Sequence, residues 1–207
     1  MVTGIASCCL EGYRDDVSEG FQPGGRAPAP PPLDLVQDFV NTEIPEWARD
    51  DIATPGLLES WLRGRGLLSD DEGVDAASFV AARELRSALR ALALLNTLGR
   101  RPPDRALDEL RRALRDISLG VEPAADGRLA VVGAGAGAQR ALAAIVAGVV
   151  EGQASGSWPR LKACRQETCG WVFFDASRNA SSTWCSMSVC GSRAKSASYR
   201  RRRKASS

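Results

Sequence analysis

Hydrophobic residues recur at helical spacing through most of the middle of the chain. The most regular pattern predicts a helix over residues 76–98, because leucines three or four positions apart form one apolar face and Gly99 follows as a stop. These leucines are Leu85, Leu89, Leu92 and Leu95. The outer face of this helix carries Arg83, Arg86 and Arg90, which we expect to be solvated rather than to bind a ligand.

Three shorter segments repeat the amphipathic pattern, each bounded by a capping residue or a helix breaker. They are a short helix or buried turn from Leu33 to Val40, a helix from Pro55 to Gly64 behind the N-cap Thr54, and a helix from Asp104 to Gly120. The longest apolar run, Ala141–Val150, has about half of the roughly 20 residues that a membrane span requires, which predicts a buried helix and no membrane partner. We therefore expect residues 33–156 to form a mainly helical domain that folds by itself.

A short strand is predicted over residues 129–132, just before a glycine-rich stretch. The run Gly133-x-Gly135-x-x-Ala138, between a strand and a helix, has the spacing of a dinucleotide-binding loop, and Glu151 lies where a ribose-binding acid is sought. That fold needs further strand and helix units, and the neighbouring segments do not supply them. We therefore favour a flexible strand-to-helix loop over a cofactor site.

Residues 1–32 lack a periodic hydrophobic pattern and end in the proline-rich run Ala27–Pro32. Because such a segment gathers too little apolar surface to fold, we predict a disordered leader. The first residues have no basic stretch ahead of an apolar one, so no secretory signal is expected and the cytoplasm is the predicted location. Cys8 and Cys9 lie in this leader and receive no role.

Charge divides the chain into an acidic body and a basic end. Residues 160–207 hold 11 lysines and arginines against 2 acids, or +9, whereas residues 1–159 hold 16 against 23, or −7. This asymmetry favours a polyanionic partner for the basic end, although a tail that only stays solvated would have the same composition. The chain has no histidine and no suggestive pair of carboxylates, so we predict that the protein is not an enzyme.

Four cysteines form two matched pairs, Cys164-x4-Cys169 and Cys185-x4-Cys190, with fifteen residues between the pairs. Such pairs suit a tetrahedral zinc ion, because each tight turn supplies two thiolates and the intervening hairpin brings the turns together. A reducing cytoplasm favours this interpretation over two disulfides, although the spacing alone also allows redox or unliganded thiols. Four thiolates would fill the coordination shell, so the zinc is predicted to be structural.

The residues around these cysteines resemble the CGNR zinc finger. Those that carry the resemblance are Cys164, Cys169, Gly170, Trp171, Phe173, Asp175, Ser177, Asn179, Trp184, Cys185, Ser186, Met187, Cys190, Gly191 and Arg193. Upstream, the run Asp38–Thr42 is similar to the start of the ABATE domain that commonly precedes this finger, and together the two resemblances cover residues 33–204. Ser192 departs from the finger's signature by standing at the position of its asparagine, which shortens a polar side chain but removes no zinc ligand.

The resemblance implies a bacterial transcription regulator in which the finger binds DNA and the helical domain senses a small ligand. The predicted fold is mainly α (α+β), with the helical domain at residues 33–156 and the finger and basic tail at residues 160–207. The candidate DNA contacts follow the last cysteine on a predicted helix and are Arg193, Lys195, Arg200, Arg201, Arg202, Arg203 and Lys204. Arg193, beside the rigid second cysteine pair, is the candidate for a base-edge contact.

Other partners remain open at this point. The alternative function is a zinc-stapled adaptor that binds proteins of the transcription machinery, and a homodimer is compatible with either function. Aromatic residues of the finger are predicted to form its small core rather than a base-stacking platform. These are Trp171, Phe173, Phe174 and Trp184. Asp175 and Asn179 are predicted to organise the loop between the cysteine pairs through hydrogen bonds to the backbone.

Overall fold

The structure, a computed structural model, describes residues 22–205. These residues contain six α-helices and six short strands. The helices are α1 (Leu33–Val40), α2 (Pro55–Gly64), α3 (Ala76–Leu98), α4 (Asp104–Ala113), α5 (Gly137–Ala154) and α6 (Ser192–Ala205). The strands are β1 (Glu43–Ile44), β2 (Arg49–Asp50), β3 (Leu119–Pro123), β4 (Leu129–Gly133), β5 (Leu161–Ala163) and β6 (Val172–Phe174). They pair as three antiparallel hairpins, β1 with β2, β3 with β4 and β5 with β6. The predicted class, mainly helical with a four-cysteine module and a C-terminal helix, is confirmed.

Local capping signals fix the longer helices where the sequence predicts them. The Asp75 side chain accepts a hydrogen bond from the backbone N–H of Ser78 at the start of α3 (2.7 Å), and Gly99 ends this helix with φ +60°. Thr54 caps α2 in the same way, with Pro55 at the first helical position. These signals act over three or four residues, which is why the sequence alone locates both helices.

Helices α1 and α5 pack unusually closely because two glycines of α5 face α1. A Cβ on Gly148 would lie 2.9 Å from the carbonyl oxygen of Pro32, and one on Gly152 would lie 2.6 Å from a methyl group of Leu33. Larger residues at these positions would push the helices apart. The close approach buries Leu33 and Val36 completely in the main core.

The predicted helix over residues 104–120 is too long. Helix α4 ends at Ala113, and the residues after it form strand β3, which pairs with β4 so that Val121 lies opposite Val131. Gly120 and Pro123 disfavour a helix, and the hairpin partner lies only a few residues further on, so tertiary pairing overrides the helical period. Leu114 and Ile117 still pack against the core, which is why the apolar period extends past the helix end.

The glycine-rich stretch before α5 serves packing, so the dinucleotide alternative is not borne out. A Cβ on Gly133 would lie 2.5 Å from the backbone of α5, so only glycine lets the hairpin lie against this helix. The amide of Gly137 at the helix start donates to the Glu72 carboxylate (2.8 Å), and Arg140 donates to the other oxygen of that carboxylate (2.8 Å). Hydrogen bonds from Ser69 and Gly137 lower the pKa of Glu72 to about 2. An internal carboxylate thus occupies the place that a phosphate would take.

The expectation of a solvated arginine face on α3 is wrong for two of the three arginines. Arg86 is 1% exposed and its guanidinium donates to both carboxylate oxygens of Asp50, at 2.6 and 3.0 Å. This guanidinium lowers the pKa of Asp50. Arg90 pairs with Glu43 and donates to the carbonyl of Val40 (2.7 Å). Arg86 and Arg90 point inward because β1 and β2 bring acidic partners over this face of the helix. Arg83 is the one of the three that is exposed.

The prediction of a disordered leader over residues 1–32 does not describe residues 22–32. Gln22, Pro23 and Ala29 are buried against the rest of the chain. The segment has little apolar surface, but polar side chains and backbone groups attach it, and hydrophobic patterning does not register such contacts. The rest of the predicted leader, with Cys8 and Cys9, lies outside the described residues.

The helical domain and the cysteine-rich module share one hydrophobic core. Leu161, Ala163 and Val172 of the β5–β6 hairpin belong to the same buried cluster as the apolar faces of α1, α3 and α5. Side chains near the end of α3 reinforce this contact, since Asn96 donates to the carbonyl of Leu161 (2.9 Å) and Thr97 to that of Ala163 (2.7 Å). No helix within residues 22–205 is long and apolar enough to cross a membrane.

Candidate metal centre

The four cysteines of the two sequence pairs meet at one buried point. Their sulfur atoms all lie within 4.8 Å of one another, and each side chain is at most 5% exposed. The Sγ of Cys185 is 3.6 Å from that of Cys169 and 3.7 Å from that of Cys190. No disulfide joins these four residues.

The first pair forms the turn of the β5–β6 hairpin. Cys164 follows β5, and its N–H donates to the carbonyl of Trp171 (2.8 Å), so the ladder continues up to the first sulfur ligand. The turn closes at Cys169, whose N–H donates to the carbonyl of Gln166 (2.9 Å), and Gly170 leaves it with φ +63°. The predicted hairpin therefore encloses the first pair rather than joining the two pairs.

The second pair lies at the start of the C-terminal helix. The Ser186 side chain accepts from the backbone of Val189 (3.4 Å), and a single wide turn, Met187–Gly191, runs from there directly into α6. Cys190 is held inside this turn, so the last sulfur and the start of α6 form one rigid unit. Ser192 donates to the carbonyl of Met187 (3.2 Å), which gives this residue a role in ending the turn.

The arrangement fits a zinc ion. Four thiolates at the usual Zn–S distance of about 2.3 Å place neighbouring sulfurs roughly 3.8 Å apart in a tetrahedron, close to the distances of Cys185 to its neighbours. Hydrogen bonds from the other three thiols lower the pKa of Cys164, whereas the hydrogen bond with Cys164 and burial raise that of Cys185. Four buried thiols cannot all ionise without a cation among them, and a divalent metal ion supplies that charge. Zinc bound here would stabilise the fold, and the four thiolates would leave no open coordination position for a catalytic water.

The loop between the cysteine pairs is organised by one buried carboxylate, as predicted for Asp175. It accepts from Lys162 Nζ (2.9 Å), from the N–H and hydroxyl of Ser177 and from both donors of Ser182. Burial raises the pKa of Asp175, but these hydrogen bonds outweigh burial and hold it below its usual range. Asn179 is exposed and makes none of these bonds, so that half of the prediction is wrong.

Comparison with family profiles assigns both halves of the chain. Residues 33–155 match the ABATE family, whose description is "Putative stress-induced transcription regulator", and residues 160–203 match the CGNR zinc finger. The chain belongs to the ABATE family. No curated protein matches its sequence. The match to the CGNR zinc finger indicates zinc as the cofactor, and the buried four-cysteine cluster is the site that fits it.

The ABATE domain supplies part of the finger's core, which sequence analysis missed. Ile44 and Trp47 pack with the four cysteines and with the buried finger residues Trp171 and Phe173. The ring centroids of Trp47 and Trp171 are 5.7 Å apart. The finger contains few apolar residues of its own, and this scarcity was the sequence signal that could have indicated a contribution to its core from elsewhere in the chain.

The predicted aromatic core of the CGNR finger is divided between two clusters. Trp171 and Phe173 are buried around the cysteines, and Trp184 packs partly buried at the edge of the same cluster. Phe174 points to the opposite face of β6 and packs against the main helical core. None of the four presents a stack of exposed rings.

Of the candidate DNA contacts, one is held in an ion pair with the ABATE domain and the others are exposed on α6. Arg193 forms an ion pair with Glu46 of the ABATE domain, and its hydrogen bond with Glu46 raises the pKa of Arg193. The remaining candidates are all exposed: Lys195, Arg200, Arg201, Arg202, Arg203 and Lys204. The expected DNA contacts, homodimer and cytoplasmic location stay predictions.

Proposed function

We propose that this protein is a DNA-binding transcription regulator in which the zinc finger presents α6 to duplex DNA. The observation that carries the proposal is the position of α6, which starts two residues after the buried Cys190 and carries six exposed cations. A helix fixed at a metal site can hold its charges against a phosphate backbone without first ordering a flexible tail. The rest of the chain is acidic, so the finger is the end that phosphate would approach.

The two ends of α6 would have different roles on DNA. Arg200–Lys204 form a dense cluster of charges that suits phosphate contacts, which carry no sequence information. Arg193 is fixed near the zinc site and would be the residue for a base edge, but such a contact requires its ion pair with Glu46 to open. DNA binding and the contact between ABATE domain and finger would thus be linked through one side chain.

The small ligand that the ABATE domain is expected to sense would fit a groove between α3 and α4. This groove has a volume of about 440 Å³, with Phe79, Val80 and Ala88 in its wall, and its charged lining consists of Arg83, Arg112, Glu84 and Glu109. Neither arginine has an ion pair among the described residues. Glu109 already pairs with Arg105, which leaves two arginines facing Glu84. An anionic molecule with an apolar body would therefore match the groove.

The dye 8-anilinonaphthalene-1-sulfonate, which is anionic and aromatic, tests the groove. Its fluorescence should rise with the native protein and lose most of this rise in Val80→Asp. Leu57→Asp is the matched control, because Leu57 is an exposed apolar residue on α2, away from the groove (46% exposed against 54% for Val80). Equal fluorescence in all three proteins would remove the groove from the proposal.

A salt titration of duplex DNA binding tests the main proposal. If about five to seven cations meet phosphates, log affinity should fall against log salt with a slope of roughly −4 to −6. Replacing Arg200, Arg201 and Lys204 with Gln should weaken binding to every duplex and flatten the slope. The control replaces Arg105, Arg111 and Arg115, exposed on or just after α4, and should change neither. If the α6 variant keeps the affinity and slope of the wild type, DNA is excluded and the protein-adaptor function takes its place.

A further inference from the structure

Residues 22–29 lie outside both family-matched segments and pack against the second cysteine pair; we call them the N-terminal strap. Its backbone comes close to the metal site, since a Cβ on Gly24 would lie 3.4 Å from the carbonyl oxygen of Cys185 and from Ser186. The strap is therefore in contact with a predicted zinc ligand, although it is distant in sequence from every cysteine of the cluster.

One buried side chain holds both ends of the strap. Gln37 of α1 is fully buried, and its Nε2 donates to Gln22 Oε1 (2.9 Å) while its Oε1 accepts from the backbone N–H of Ala29 (2.7 Å). Gln22 Oε1 also accepts from the indole N–H of Trp171 (3.2 Å), next to the first cysteine pair. These bonds lie in a buried environment, where their loss would leave polar groups unpaired.

Arg26, between the two ends of the strap, binds the backbone of the second cysteine pair directly. Its Nε donates to the carbonyl of Cys185 (2.8 Å) and its Nη2 to that of Trp184 (3.0 Å). The guanidinium carbon lies 4.5 Å from the centre of the Phe173 ring, so the same group stacks on the finger core. One planar cation thus joins the backbone of the second pair to strand β6, a geometry that lysine cannot reproduce.

We propose that the N-terminal strap is a third part of the zinc site and that Arg26 is a positioning residue that slows zinc release. The first pair is held inside the β5–β6 hairpin, so zinc would leave most easily when the second pair moves away. That movement requires the backbone of the second pair to part from Arg26. A site of four thiolates and one Zn²⁺ carries a charge of −2 by chemistry, so a cation bound to the ligand backbone also favours the loaded state.

The experiment measures zinc release from the full-length, zinc-loaded protein without denaturant, using the chromophoric chelator 4-(2-pyridylazo)resorcinol in excess. Arg26→Ala should release zinc at least about tenfold faster than the wild type, which corresponds to about 1.4 kcal/mol. Arg26→Lys should give an intermediate rate. Arg178→Ala is the matched control, since Arg178 is an exposed arginine in the loop between the cysteine pairs, and it should release zinc at the wild-type rate.

A second measurement separates positioning from general stability. The global unfolding rate, followed by circular dichroism under the same conditions, should stay well below the zinc-release rate of Arg26→Ala, because only the second pair opens. A release rate within twofold of the wild type, or one equal to the unfolding rate, would overturn the proposal. If Arg26→Ala does not fold, Arg26→Lys decides, and a wild-type rate there overturns it equally.

Discussion

Asn41 forms both of its side-chain amide hydrogen bonds with the backbone of one finger residue, Val172. Its Nδ2 donates to the Val172 carbonyl (2.8 Å) and its Oδ1 accepts from the Val172 N–H (2.8 Å). The side chain therefore pairs with β6 as a neighbouring strand would, immediately after the end of α1. Neither a carboxylate nor an apolar side chain of similar size could make both bonds.

Asn41→Ala should lower the free energy of unfolding by about 1–3 kcal/mol, because it leaves the N–H of the fully buried Val172 unpaired, while the Val172 carbonyl keeps only the Gln37 amide as a donor (3.2 Å). Urea unfolding followed by circular dichroism measures this change. Asn179→Ala is the control, since Asn179 is exposed and makes no bond in the loop, and it should have little effect. Similar midpoints for the two variants would show that the Asn41 bonds add no net stability.

The shared core predicts that the ABATE domain is not stable without the finger. A chain of residues 22–156 would lose Leu161, Ala163 and Val172 from the main cluster and would expose the apolar faces of α1 and α3. We expect such a chain to keep much of its helical signal but to lose cooperative urea unfolding. The full-length protein is the control. A cooperative transition in the truncated chain would instead support the sequence-based expectation of an independent domain.

The Arg86 side chain is almost fully buried and pairs with both carboxylate oxygens of Asp50. Arg86→Met should cost about 3 kcal/mol of stability, since it leaves the Asp50 carboxylate partly buried without its cation. Arg83→Met, one turn away on the exposed face of the same helix, should cost less than about 0.5 kcal/mol. Equal unfolding midpoints in urea would contradict the assigned roles.

The same pair predicts part of the acid sensitivity of the fold. Because Arg86 lowers the pKa of Asp50 in the folded state, this carboxylate contributes stability above its unfolded value of 3.8 and loses it as the pH falls through the folded value. The stability of wild type and Asp50→Asn should therefore converge in acid. A constant difference between them from pH 6 down to pH 2, measured by urea unfolding, would contradict this linkage.

Removing zinc should destabilise more than the finger. Each Ser substitution at Cys164, Cys169, Cys185 or Cys190 should reduce the zinc content below one per chain by elemental analysis, because structural zinc supplies folding free energy. Since Ile44 and Trp47 pack in the same cluster as the cysteines, the thermal transition of the helical signal should also shift downward. The control changes Cys8 and Cys9 to Ser and should keep one zinc. Full helical stability in the zinc-free protein would contradict the coupling.

Sequence patterns succeed in this chain where the decisive interactions are local. Thr54 caps α2 and Gly99 ends α3 through contacts within a few residues, and each of the two cysteine pairs likewise spans only a short turn. Patterns fail where the partner is distant, as for Arg86, whose carboxylate partner lies 36 residues away on another element. The prediction for the N-terminal strap is wrong for a second reason. Arg26 attaches the strap through backbone carbonyls and the face of a ring, and hydrophobic patterning does not detect such contacts.

If the finger binds DNA as proposed, the ion pair between Glu46 and Arg193 would link the ABATE domain to that binding. The Glu46 side chain is 15% exposed and that of Arg193 36%, so the pair is partly shielded from water. Any DNA contact by Arg193 must first break this pair. Glu46→Gln should therefore raise affinity for a preferred duplex by about two- to fivefold, the equivalent of about 0.5–1 kcal/mol for a partly exposed ion pair.

Fluorescence anisotropy with Glu46→Gln, Arg193→Ala and the double variant separates the possible outcomes. If Arg193 competes between Glu46 and DNA, the Glu46 variant binds more tightly only while Arg193 is present, because its effect acts through that guanidinium. Glu109→Gln is the control, since it removes a carboxylate from an exposed ion pair on α4. If Glu46→Gln and Glu109→Gln raise affinity equally, the gain reflects the lower negative charge of the body and not release of Arg193.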